Sequence, residues 1–257
     1  MLDLDNRRDY ILVFPNGLKR GATTIKGGRN VVVRGGWATV PPGGREDADR
    51  QAIYVKGSVG TVHLEGLLLQ GTPGVSWDAI DINAPRARVQ IENVRVEGVS
   101  GSFEGWHADV VQPFGGVRDL RIDRLSATSN YQGLQIPADL RRVGDVSIQN
   151  VDLSYFDTRP STGGKLLWLT TGAESCRSPD VSLNEVYVQP KAGRSLATSV
   201  WPMVDSSLGC RGVGGASTVS WPGLGVRGQV RAGLPPGGSF VPRSRVGLGY
   251  RTPGFLG

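Results

Sequence analysis

Five short runs, Gln51–Val55, Asp78–Ile82, Asp109–Gln112, Gln132–Ile136 and Lys165–Leu169, alternate apolar and polar residues. Aligned on that alternation, they set the reactive side chains into two columns. Gln51, Asp78, Asp109, Gln132 and Lys165 form the first; Tyr54, Asp81, Gln112, Gln135 and Trp168 form the second. Ile53, Ile80, Val111, Leu134 and Leu167 immediately precede the second column. If those residues point inward, the second column points out. The first column shares the inward parity, and it reaches solvent only if a corner falls just before each run.

Carboxylates, amides and flat aromatics in a row suit a shallow sugar-binding groove. Carboxylates and amides hydrogen-bond pairs of hydroxyls, and Tyr54 or Trp168 can stack on the apolar face of a sugar. Strands in register lie about 4.8 Å apart, so Asp78 and Asp109 are expected about 5 Å apart, near the spacing of a retaining glycosidase pair. His107, two residues before Asp109, is placed to serve as acid or base. Stacked acids repel unless a proton, cation or ligand compensates. Plainer accounts exist beside these. An outward strand face is polar in any case, and a histidine in Gly-Trp-His-Ala-Asp can simply support its loop. With only His63 and His107, the chain shows no metal pattern, and Lys26-Gly27-Gly28-Arg29 is not a phosphate loop. No cofactor is implied.

What must position these columns is a repeat. The template apolar-x-apolar-x-x-apolar-x-apolar occurs at Val62–Leu69, Val89–Val96, Leu120–Ala127, Val146–Leu153 and Val181–Val188. Its alternation has the strand period of two. The interrupting pair (Glu65-Gly66, Glu92-Asn93, Asp123-Arg124, Gln149-Asn150, Asn184-Glu185) reads as a bend between two short strands. One copy cannot bury its apolar row alone, whereas stacked copies can. With the column runs between them, each repeat holds about three strands. The expectation is an all-β, right-handed parallel β-helix over roughly residues 10–203. Unequal spacings of 27, 31, 26 and 35 residues between copies imply loops of different length at the corners. A leucine-rich horseshoe would need a Leu-x-x-Leu-x-Leu signature, and a sandwich would need hairpin turns.

Composition agrees. Glycine, at 38 residues, is about twice its usual share, which suits many tight turns. Most of the net charge of +6 lies beyond Val204, where six arginines face one acid. The body is close to neutral, which argues against a nucleic-acid partner. No run approaches a membrane span of about 20 apolar residues, and the first residues lack the apolar core of a secretory signal. Cys176 and Cys210 are read either as two buried thiols or as a disulfide between neighbouring turns. After Val204 the repeat stops, and the last 54 residues hold 14 glycines and five prolines. Residues 204–257 are expected to form an extended arm, anchored through Trp221, Phe240, Tyr250 and Phe255 on the chain's own body or a partner, rather than a flexible end. Self-association, as a trimer, is the expected use of that arm.

Asn30-Val-Val-Val-Arg-Gly-Gly36, the repeated Val-x-Ile-x-Asn-Val-x-Val, and Gly105-Trp-His-Ala-Asp-Val-Val-Gln112 give the body a resemblance to the pectate-lyase-like superfamily of parallel β-helices. Trp77–Ile82 is weakly similar to the first acidic motif of polygalacturonase-type hydrolases, whose Gly-His-Gly and Arg-Ile-Lys motifs are absent here. Gly233–Phe255 resembles the ending of minor tail proteins of actinobacterial phages. Together these imply a phage tail-tip protein, assembled in the host cytoplasm, whose β-helix face contacts a host-surface polysaccharide and whose arm contacts other tail or self subunits. A carbohydrate-active enzyme, a lyase or a hydrolase that could be secreted, is the alternative, and an adhesion or scaffold protein is a third. If the protein cleaves the glycan, Asp78, Asp109 and His107 are the catalytic candidates. Tyr54, Asp81, Gln112, Gln132, Gln135, Lys165 and Trp168 are the sugar-binding ones.

Overall fold

The computed structural model describes residues 1–42, 47–136, 143–156, 164–170 and 176–252. These residues form a parallel β-solenoid with three faces. The first face stacks β1 (Leu2–Leu4), β4 (Thr23–Gly27), β7 (Gln51–Lys56) and the opening residues of β10 (Asp78–Val99) and β11 (Val111–Ser129). It continues through β12 (Leu134–Gln135), β14 (Leu167–Trp168) and β16 (Val200–Trp201). On the second, β2 (Tyr10–Val13), β5 (Val31–Arg34) and β8 (Thr61–Glu65) lead into the middles of β10 and β11. There β13 (Val143–Tyr155) and β15 (Val181–Gln189) follow. The third begins with β3 (Leu18–Arg20), β6 (Trp37–Thr39) and β9 (Leu68–Gln70) and takes the ends of the longer strands.

The repeat sets the core. Val89, Ile91, Val94, Val96, Val146, Ile148 and Val151 are all buried, and Val89↔Leu120↔Val146↔Val181 and Ile91↔Ile122↔Ile148↔Leu183 stack in register. The interrupting pair is the corner between the second and third faces. Its second residue is left-handed in every copy: Gly66, Asn93, Arg124, Asn150 and Glu185 have φ between 50° and 67°. Asparagine tolerates that region better than most residues. Gly66 has a further reason, since a Cβ there would lie 2.0 Å from the Tyr250 ring. Corner side chains tie successive coils: Arg124 Nε donates to Asn93 Oδ1 at 2.7 Å and Asn150 Nδ2 to Asp123 Oδ1 at 2.9 Å.

Cys176 and Cys210 are joined as a disulfide, which resolves the two alternatives. Beyond Val204 the apolar repeat ends, yet β19 (Val230–Ala232) still adds a parallel strand to β15. β17 (Val213–Gly214) and β18 (Thr218–Ser220) then turn back antiparallel. The chain next runs back along the third face toward the earliest coils. Phe240 N–H donates to Asp152 Oδ1 (2.8 Å), Val241 N–H to Ser126 Oγ (2.9 Å), and Arg95 Nη1 to the Val241 carbonyl (2.8 Å). Val241 and Val246 bury Leu68, and Thr252 Oγ1 reaches Glu65 at 2.7 Å. Trp221, Phe240 and Tyr250 thus anchor on the chain's own body; Phe255 lies outside the described residues.

Two outcomes follow. Ile91→Ala or Ile148→Ala should lower unfolding free energy by about 2–5 kcal/mol in a denaturant titration. Removing residues 239–257 should preserve the β-sheet circular dichroism spectrum and lower the melting temperature, by about 2–4 °C for each kcal/mol that the arm contributes to stability. An unchanged melting temperature would show that the arm does not brace the coils.

Candidate functional site

The two columns exist as aligned. Gln51 pairs with Asp78, and Tyr54 with Asp81 and then Gln112. Gln135 pairs with Trp168, which pairs with Trp201. Their exposure is another matter. Asp78, Asp81, Asp109 and Gln132 were expected on an exposed face, and all four are buried, at 3, 1, 0 and 5 % exposure. For Asp109 and Gln132 the cause is the inward parity of the first column, whereas Asp78 borders a cleft and is covered there by Trp106. Asp81 points outward but is covered between its neighbours.

Only part of the set meets in one place. A cleft of about 520 Å³ is lined by Gln51, Tyr54, Asp78, Trp106, His107, Gln112 and Phe114, a size within the range of small-ligand sites. Asp78 is its acid. One carboxylate oxygen accepts the Trp106 indole N–H at 2.7 Å, and the other accepts the Asp109 backbone N–H at 2.8 Å. Asp78 and Asp109 are therefore neighbours in adjacent coils, as expected, but Asp109 turns its carboxyl into the interior. The aromatic walls are Trp106, with the Arg50 guanidinium 5.0 Å from its ring centre, and the Tyr54–Phe114 pair at 5.7 Å. His107 is exposed at the rim; its Nε2 lies 2.8 Å from the Phe103 carbonyl, and its ring stands 5.7 Å from Tyr131. It supports its loop as well as lining the cleft.

The remaining candidates lie farther along. Gln112 Nε2 donates to Gln135 Oε1, which extends the polar row by one coil. Trp168 packs against Trp201 at 5.4 Å and donates to the Thr170 carbonyl. Lys165 gives its ammonium to the Thr198 carbonyl at 2.6 Å and lies 3.0 Å from Met203 Sδ. Burial, helped by the charge of Arg194, lowers its pKa to about 8. Trp106, Phe114 and Trp201 were not picked out as site residues from sequence. Trp106 stands in the segment between β10 and β11, where the repeat spacing lengthens, and such insertions mark loops that tend to bind.

Behind Asp78 the electrostatics are unusual. Both carboxyl oxygens of Asp109 are buried with no hydrogen-bond partner, and those of Asp81 are buried with only the Gln51 amide close enough to stabilise their charge. Burial raises the pKa of each well above the ordinary carboxylate value, and the Asp78 charge raises it further. On Asp109 the charge of Asp81 adds to this, while on Asp81 the Gln51 amide acts the other way. The arrangement therefore favours neutral acids at Asp81 and Asp109 beside a carboxylate at Asp78 that accepts two N–H donors. Among the described residues no group of three or more His, Cys, Asp or Glu is placed to hold a metal. No described helix is long and apolar enough to cross a membrane. No family model matches the chain, nor does any curated protein or solved structure.

A carboxyl whose pKa is higher folded than unfolded binds its proton more tightly in the fold. Its stabilising share is full below the unfolded value, about 4, and is lost as pH rises through the folded value. Melting temperature should accordingly fall from pH 5 toward pH 8. Asp109→Asn and Asp81→Asn should each raise stability at pH 8 and flatten that slope. A slope that both variants leave unchanged would assign it to other groups.

Proposed function

We propose that this protein binds a polysaccharide along the first face of its solenoid, with the Asp78 cleft as the principal contact. The carrying observation is one carboxylate, held by Trp106 and the Asp109 amide, in a cleft walled by Tyr54, Trp106 and Phe114. A carboxylate takes hydroxyl donors, and aromatic walls take the C–H face of a sugar. The Gln112–Gln135 row and the Trp168–Trp201 pair continue the same face, which suits an extended chain better than a single sugar. The likeness of Gly233–Phe255 to the ends of actinobacteriophage minor tail proteins supports placing this binding at a virion tail tip, on host-surface glycan.

A second reading, a carbohydrate-active enzyme, is favoured by the neutral acids beside Asp78. A protonated carboxyl next to an ionised one is the division of labour that glycoside hydrolysis uses. Burial counts against it, because Asp109 has no exposed surface and a general acid must reach the leaving oxygen. Binding without cleavage is the better-supported account.

The test is incubation with a panel of bacterial-envelope and plant polysaccharides, reading both retained protein and released ends. Retention without new ends is expected. Asp78→Ala, Gln112→Ala and Trp106→Ala should each weaken retention about tenfold or more, equivalent to about 1.4 kcal/mol, while Arg245→Ala on the arm should not. New reducing ends that vanish in Asp78→Asn would establish hydrolysis, and unsaturated ends a lyase. Equal retention by wild type and all three cleft variants would move the site elsewhere.

A further inference from the structure

Trp168 ends β14 and Trp201 ends β16, and the two strands stack in register on the first face. The disulfide joins the chain that follows one of these tryptophans to the chain that follows the other. Contacts trace a closed circuit through it. On one side the Trp168 indole N–H donates to the Thr170 carbonyl, and Thr170 Oγ1 donates to the Arg177 carbonyl at 2.5 Å, next to Cys176. On the other side Gly223 packs closely on Cys210, whose Cα would lie 3.2 Å from an added Cβ. Trp221, just before it, is fully buried and donates its indole N–H to the Pro202 carbonyl at 2.8 Å, next to Trp201. The Trp168 and Trp201 rings, 5.4 Å apart, complete the circuit.

Two features set this bond apart from a passive staple. Cys176 has a φ of 41°, and among the described residues it is the one non-glycine residue in the left-handed region outside the repeat's corners. Cysteine lacks the short amide that lets asparagine occupy that region, so the conformation persists because its surroundings impose it. The bond is also approachable from one side, since Cys176 is part-exposed and Cys210 only 1 % exposed.

We propose that the Cys176–Cys210 bond is a redox-set positioning element that holds Trp168 and Trp201 as one aromatic platform at the far end of the glycan-binding face. An external thiolate attacks the Cys176 sulfur, forms a mixed disulfide there and releases Cys210 as a thiolate. A second external thiolate attacks the external sulfur, frees Cys176 and leaves an external disulfide. Closure runs the other way. The two thiols give up two protons and two electrons to a disulfide such as oxidised glutathione, which returns as two thiols. With the bond open, Cys176 leaves its left-handed conformation, the two segments move independently, and the rings no longer share one platform. Thiols stay reduced in the cytosol and pair outside it, so the platform is completed in oxidising surroundings, where a surface glycan is met. Its use for glycan rests on the binding proposed above, whereas the positioning of the rings does not.

The test compares the full chain oxidised and after reduction with dithiothreitol. Far-ultraviolet circular dichroism should stay the same, while acrylamide should quench tryptophan emission more strongly in the reduced form. That gain should shrink when Trp168 and Trp201 are both replaced by phenylalanine, and oxidised glutathione should reverse it. Cys210→Ser should behave as the reduced form with or without dithiothreitol. On the polysaccharide retained in the panel, reduction should weaken wild-type binding by about fivefold or more and leave Trp168→Ala unaffected. Such non-additivity marks a bond that acts through that ring. Equal quenching in the two states, loss of the β-sheet spectrum on reduction, or equal weakening of wild type and Trp168→Ala would overturn the proposal. If the panel retains nothing, the binding reading fails, and the quenching still decides this one.

Discussion

Everything in this molecule follows from one spacing, the roughly 4.8 Å between hydrogen-bonded parallel strands. Each residue sits directly over its counterpart one coil away, so no side chain has an independent environment. For valine and isoleucine this is favourable: Ile91 over Ile122 over Ile148 buries a continuous apolar row. For a polar residue it is a constraint, because whatever it needs must come from the coil above, the coil below or a loop. The corner pairs meet that need with Arg124 on Asn93 and Asn150 on Asp123.

The same spacing explains the acids. Asp78 and Asp109 are one coil apart, too close for two unpaired negative charges in a dry interior. Two N–H groups stabilise the charge on one of them. The other has no donor, and burial raises its pKa, since holding an unpaired buried carboxylate ionised costs more than shifting its pKa. One carboxylate, Asp78, fixed by donors and faced with aromatics, borders the cleft. The cleft is therefore defined as much by which acid receives the N–H groups as by which acids are present.

This also shows where sequence reasoning succeeds and stops. The core rows were legible because period-two alternation, broken at a fixed point, survives in every copy. The column alignment was legible for the same reason, and the parity of the first column already pointed Asp109 inward. Asp81 differs: its parity is outward, and its burial depends on neighbours contributed by other coils. Trp106 belongs to the segment joining one coil's third face to the next coil's first, where no periodicity constrains the path, and Phe114 lies within β11 just past the aligned run that ends at Gln112. The arm was harder still. Glycine and proline reveal that it is not another coil, but its track along the third face depends on single contacts such as Tyr250 on Gly66, which leave no repeat in the sequence.

That track matters for a solenoid in particular. In a stacked array each coil touches only its neighbours, so stability is a sum of local terms and the ends can fray alone. The arm breaks that locality. It ties Asp152 and Ser126 through Phe240 and Val241, and then Leu68 and Glu65 through Val246 and Thr252. Opening one of these coils now disrupts the arm's hold on the others as well, which makes the array more cooperative than its strand pairing alone would. The bracing covers the third face and leaves the first, where the cleft lies, open. A strap on the first face would hold the coils equally well but would cover the cleft and its aromatic walls.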